Sequence, residues 1–217
     1  MNSSSSTTSP GLLLRIHLSD GTVESFVQVD RVKAQQIWQG TEPVRLFSQQ
    51  RLVIAGTHSK SVFVCSEIVR VDFLGYSPAT WQFPESYSDV VELTEKDFRK
   101  NARLDQPELM PKREHPTPAG DPLVSFLKLC FRNNAPVFLM VEFAVKQPVE
   151  NQSFMRFLLS KTAFHMRLVG GGVGVVNLAH LAGYTVYPGV AQIPGDSWVA
   201  EPASLRVEPR AESRRFA

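Results

Sequence analysis

Two stretches of this 217-residue chain pass through the same order of strand-like segments, and that repetition limits the fold more than any single motif. Residues 13–18 and 138–143 each mix apolar and polar positions over the length of one strand. Each is followed by a polar region and a longer β-rich stretch: residues 52–56 and 62–71 in the first copy, 166–170 and 173–182 in the second. From Leu13 to Phe138 is 125 residues and from Gly56 to Gly170 is 114, so this alignment gives the first copy about eleven extra residues. They fall around residues 30–38, where apolar spacing after Asp30 predicts a short capped helix. The second copy shortens it to residues 155–159. Added loop length costs little closure entropy, so such an insertion between strands is tolerable.

Local signals fill in each copy. Ser19-Asp20-Gly21-Thr22 predicts a tight hairpin joining 12–18 to 23–29, because Asp-Gly supplies the positive φ angles of a primed turn. A second hairpin is expected between 49–56 and 61–65, and a last strand over 68–74. One helix and about five bent strands is the content of a small barrel. On layout alone, over some sixty residues, each copy resembles the SH3-like and Sm-like small barrels. A flatter antiparallel sheet flanked by the helix is the alternative. The resemblance extends to no RNA-contacting signature and assigns no residue a role.

The expected fold is therefore mainly β (α+β): two tandem small β-barrel modules with short helices, joined by a Pro-rich linker. Residues 1–10 are a Ser/Thr-rich tail, 11–82 the first module, 83–122 a helix plus linker, 123–200 the second module, and 201–217 a charged tail. Within the linker region Thr94 and Asp97 form a capping box for a helix over 94–104. Residues 125–131 open the second module as a helix or a strand. Both copies leave their last strand through a Tyr/Pro turn, at Tyr76-Ser77-Pro78 and Tyr187-Pro188-Gly189, and Trp198 is expected to anchor the segment that follows.

Chemistry is sparse. Apolar content of 43%, charged content of 20% and a net charge of +2 describe an ordinary globular chain without a strong basic footprint. Fourteen Phe against four Tyr points to core aromatics rather than exposed stacking platforms, and Trp38 and Trp81 are expected as core or hinge anchors. Residues 124–199 carry six basic and three acidic residues, which makes Arg156, Lys161 and Arg167 the candidate contacts for an anionic partner. Gly170-Gly171-Gly172-Val173-Gly174 invites a phosphate-loop reading. It lacks the third glycine of a dinucleotide fingerprint, Asn177 standing in its place, and it fits a hairpin turn better.

Of the five histidines, His17 and His180 are expected in strands, His58 in a turn and His115 in the linker; His165 is the fifth, and none has triad-like motif spacing. Cys65 and Cys130 form no CxxC or Cys/His cluster and read as buried free thiols, so neither a metal nor a cofactor is expected. Asn151-Gln152-Ser153 matches a glycosylation sequon that a chain without a secretory signal does not use. No apolar run approaches the ~20 residues that span a bilayer. The functional expectation is a cytoplasmic, non-enzymatic binding or assembly protein, recognising a protein partner or itself through module edges. A weak RNA or DNA binder is the second reading and an enzyme with an inter-module cleft the third.

Overall fold

The computed structural model describes residues 11–39, 41, 43–75, 89–111, 117–144, 159–188, 197–200 and 202. The expected tails, His115, Trp81, the 155–159 helix, the sequon and the first Tyr/Pro turn fall, wholly or largely, outside them. The protein is mainly β. Among the described residues, eleven strands form one nine-stranded mixed sheet, in the order β11-β7-β8-β6-β9-β10-β5-β1-β2, and a two-stranded sheet of β3 and β4. Among the described residues no closed barrel is found, so the expectation of two separately closed barrels gives way to a shared sheet.

Local chemistry explains the elements that the sequence announces. β1 (Leu12–Leu18) and β2 (Val23–Gln28) pair antiparallel across the Asp20-Gly21 turn. There Asp20 accepts from the Thr22 amide at 2.8 Å and Gly21 takes φ 90°. α1 (Arg31–Gln39) starts where Asp30 Oδ1 accepts from the amides of Val32 and Lys33. A second short helix, α2 (Pro43–Ser48), follows unannounced. β3 (Arg51–Ala55) and β4 (Lys60–Val64) make the second hairpin. A 3₁₀ turn (Cys65–Glu67) leads into β5 (Ile68–Leu74). Thr94 caps α3 (Glu95–Asn101) by accepting from the Asp97 amide at 3.1 Å.

The remaining strands are β6 (Asp89–Leu93), β7 (Pro122–Phe131), β8 (Val137–Ala144), β9 (Ala163–Arg167), β10 (Val173–Asn177) and β11 (Leu181–Tyr187). The helix-or-strand alternative is resolved here, and three expectations change. Residues 125–131 are strand, with strict alternation of buried and half-buried side chains along β7. The stretch assigned to helix plus linker also contributes β6, which lies inside the large sheet, antiparallel to β8 and parallel to β9. His180 sits in a 3₁₀ turn (Leu178–His180) rather than a strand. Trp198 is 99% exposed and anchors nothing among the described residues.

The pairing pattern recurs. β1 pairs with β2 and β5, and β7 pairs with β8 and β11. The offset is nearly constant. β7 ends 113 residues after β1 (131 − 18 = 113), while β4, the 3₁₀ turn and β5 are also followed at 113 by β10, the second 3₁₀ turn and β11. β3 and β9 are offset by 112. The alignment of 13–18 with 138–143 is thus corrected by one strand: the counterpart of β1 is β7, and no eleven-residue insertion is needed.

Two cores lie on opposite faces of the sheet where β5 and β10 meet. One packs Leu12, Leu14, Ile16, Val71, Phe73, Val173 and Val175 with Trp38 and Leu46 from the helices. The other packs Leu127, Leu129, Leu139, Val141, Phe164, Met166 and Val176. β10 is buried at every position, as a central strand covered on both faces must be. α3 covers the outer face of β7, β8 and β11 through Phe98, which packs on Phe126, Phe138 and Tyr187. Among the described residues no helix is long and apolar enough to cross a membrane.

Candidate functional site

The two stretches that share this pairing pattern, β1–β5 and β7–β11, meet along one strand pair. β10 runs antiparallel to β5 in the register Val173↔Phe73, Gly174↔Asp72, Val175↔Val71 and Val176↔Arg70. At Gly174 a Cβ would lie 2.8 Å from Met166 Cε, 2.7 Å from Leu168 Cδ2 and 3.1 Å from Asp72 Oδ1, so these side-chain ends would have to shift to admit one. Gly172, at φ 99°, turns the chain so closely over the Phe73 carbonyl that a side chain would overlap it. The glycine run is therefore the β9–β10 hairpin turn, followed by a strand and not by a helix N-terminus. The turn reading holds, and the phosphate-loop geometry does not.

A part-buried polar chain centred on buried Asp72 ties this seam. Arg70 Nε donates to Asp72 Oδ1 at 2.5 Å and Arg70 Nη1 to Glu92 Oε1 at 2.6 Å; His17 Nε2 lies 3.0 Å from Asp72 Oδ2. Glu92 Oε2 also accepts from the Val169 amide at 3.3 Å, so β1, β5, β6 and the β9–β10 turn are joined by four side chains. Burial disfavours the Asp72 charge, but the His17 hydrogen bond and Arg70 outweigh it and hold the carboxyl below its usual range. Burial likewise opposes the Arg70 charge, and Asp72 and Glu92 overcome it, raising the guanidinium above its ordinary value. Deleting one member of such a chain leaves a buried charge uncompensated, which is costly. At the end of the seam Asn177 Nδ2 donates to the Ile68 carbonyl at 3.0 Å. The β7–β8 turn reaches the first hairpin through Asn133 and Asn134, which donate to the carbonyls of Ser19 and Leu18.

Beside the seam, His165 is buried on β9, and desolvation, aided by Lys161, lowers its pKa to about 4. Cys65 is buried in the first core and Cys130 half-buried, both as free thiols; burial raises the Cys65 thiol above its ordinary value.

Four strands have an edge without a strand neighbour among the described residues: β11 and β2 at the ends of the large sheet, and β3 and β4 in the small one. The β3–β4 hairpin and β11 carry exposed apolar side chains. Val53, Val62 and Val64 on the β3–β4 hairpin are 49%, 48% and 51% exposed, and Tyr184 on β11 is 49% exposed. A cavity of about 470 Å³ opens between β2 and β3, where the first half does not close. Its walls include Leu14, Ile16, Leu52, Ile54, Val71 and Phe73.

The anionic-partner contacts suggested by sequence do not gather here. Arg156 lies outside the described residues, Lys161 precedes β9, and exposed Arg167 ends it. His17, Arg70, Asp72 and Glu92 were missed by sequence reasoning. The readable signal was a pair of opposite charges, Arg70 and Asp72, two residues apart in an otherwise apolar strand. No family model, no curated protein and no solved structure matches this chain.

Proposed function

We propose that this chain is a non-enzymatic assembly protein made of two tandem β modules, 11–82 and 123–200, and that it associates head to tail with further copies of itself through β4 and β11. The observation that carries this reading is the β5–β10 pair. It joins the last strand of the first module to the fourth strand of the second. β11 and β4 are the counterparts of those strands at the two ends of the chain, so the same pairing between copies continues the sheet.

Exposure supports the same arrangement. Val53 and Val62 correspond to His165 and Val175, which are 8% and 0% exposed because the first module covers them. Tyr184 corresponds to Val71, which is 2% exposed beneath Val175. The seam register carries over as Lys60↔Val186, Ser61↔Thr185, Val62↔Tyr184 and Phe63↔Gly183. Such a contact is heterologous, so it builds a closed ring or an open filament rather than a two-fold dimer. A nucleic-acid role is less well supported, because a net charge of +2 leaves the chain without a strong basic footprint. The free thiols suit a reducing, cytoplasmic setting.

Sedimentation velocity tests the reading. The wild type is expected to exceed 24.2 kDa in a concentration-dependent manner. Val62→Lys and Tyr184→Lys should each be monomeric, while their equimolar mixture, with one intact β4 and one intact β11 edge, should give heterodimers and nothing larger. A monomeric wild type, or a mixture that stays monomeric beside an oligomeric wild type, contradicts it.

A further inference from the structure

The second half closes a gap that the first leaves open. β6 lies between β8 and β9, pairing Val90↔Val141, Val91↔Met140, Glu92↔Leu139 and Leu93↔Phe138 on one side and Val91↔Arg167 on the other. The counterparts of β8 and β9 are β2 and β3, and among the described residues the space between them is the 470 Å³ cavity. The correspondence can be followed residue by residue. Leu14↔Phe26 in the first half matches Leu127↔Leu139 in the second, so the four β8 residues, 138–141, map onto Ser25, Phe26, Val27 and Gln28. Lys60↔Ala55 matches Val173↔Arg167, so the β9 contact of β6 maps onto Ala55. All five of these residues line the cavity.

We infer that the β2–β3 gap is a binding site for an extended segment of a partner polypeptide, lying antiparallel to β2 and parallel to β3 as β6 lies in the second half. Two edge strands present backbone N–H and C=O groups on either side of the gap, which is the arrangement strand addition requires. Specificity comes from beneath. Side chains opposite Phe26 and Gln28 would point inward, where Val90 and Glu92 stand in the second half. The cavity floor of Leu14, Ile16, Leu46, Val71 and Phe73 is apolar, and among the described residues no Asp, Glu, Lys or Arg lines the walls. The partner segment therefore carries two uncharged apolar side chains two residues apart. The edge contact of Phe26 with Phe63, centroids 5.7 Å apart, bounds the site on the β4 side. This inference shares the correspondence of the halves with the proposed assembly but uses different strands, so Val62→Lys and Tyr184→Lys should leave it intact.

A fluorescein-labelled peptide, Lys-Lys-Thr-Val-Thr-Val-Thr-Lys-Lys, is the probe, with a control in which both Val are Asp. Anisotropy titration is run on the Tyr184→Lys protein and on the wild type, and hydrogen exchange is followed on both. The Val peptide is expected to bind and to protect the amides of β2 and β3 together, and the Asp peptide to bind at least about tenfold more weakly. Ile54→Trp, which fills the cavity, should weaken the Val peptide by about tenfold or more. Exchange on the unsubstituted protein keeps the test valid should that variant fold poorly. Equal binding of both peptides, protection outside the two strands, or displacement of a bound apolar dye by decanoate but not by the Val peptide would overturn the proposal; the last outcome would reassign the cavity to small apolar molecules.

Discussion

His165 stays neutral in the folded protein down to a pH of about 4, whereas an unfolded histidine takes up its proton near 6.5. Between those values the unfolded state binds the proton that the folded state refuses, so stability is complete above about pH 6.5 and falls as the pH drops toward 4. The shift corresponds to roughly 3 kcal/mol lost across that window. Urea midpoints at pH 7 and pH 4.5 should differ accordingly, and His165→Leu should remove most of the difference; an unchanged pH dependence in that variant would clear His165 of the role. Asp72 acts in a separate window. Its carboxyl is held below the usual 3.8, so its contribution is present above that value and is lost only as the pH falls further. The two groups sit on opposite sides of the same seam, His165 acting mainly between about pH 6.5 and 4 and Asp72 mainly below.

At the scale of elements, the β9–β10 turn shows how one glycine differs from its neighbours. Gly170, Gly171 and Gly172 all have φ between 83° and 99°, yet only Gly172 faces the backbone of β5. Gly170→Ala and Gly171→Ala should cost about 1 kcal/mol each from left-handed strain alone. Gly172→Ala adds a clash with a carbonyl that cannot move aside, and an extra loss of about 1–3 kcal/mol is expected in the same urea titration. Equal midpoints for the three variants would mean the turn does not press on β5. Elements with local chemistry were legible: Asp20-Gly21 announced the first hairpin, Asp30 and Thr94 the starts of α1 and α3, and the apolar run Ile68–Leu74 gave β5 its bounds. β6 was not legible. Five residues beyond a proline-rich stretch carry too short a pattern, and their partners, β8 and β9, lie far along the chain, so the pairing is decided by burial rather than by propensity. The same reason hid the seam network, whose four members come from three strands set well apart along the chain, β1, β5 and β6.

For the whole molecule, the shared sheet predicts that neither β1–β5 nor β7–β11 is complete alone. The first half leaves β5 uncovered until β10 arrives, and the two cores meet across that pair. A fragment of residues 1–75 is expected to aggregate or bind an apolar dye when expressed alone and to become soluble when residues 89–200 are supplied in trans. A monomeric fragment with cooperative unfolding would show instead that the first module stands by itself. The distance along the chain also sets a timetable. β10 begins 99 residues after β5 ends (173 − 74 = 99), so at about 5–20 residues per second the ribosome delivers the covering strand roughly 5–20 s after the strand it covers. Throughout that delay the nascent chain displays a bare strand edge flanked by Val71 and Phe73, the kind of surface that chaperones hold and that neighbouring nascent chains can wrongly capture.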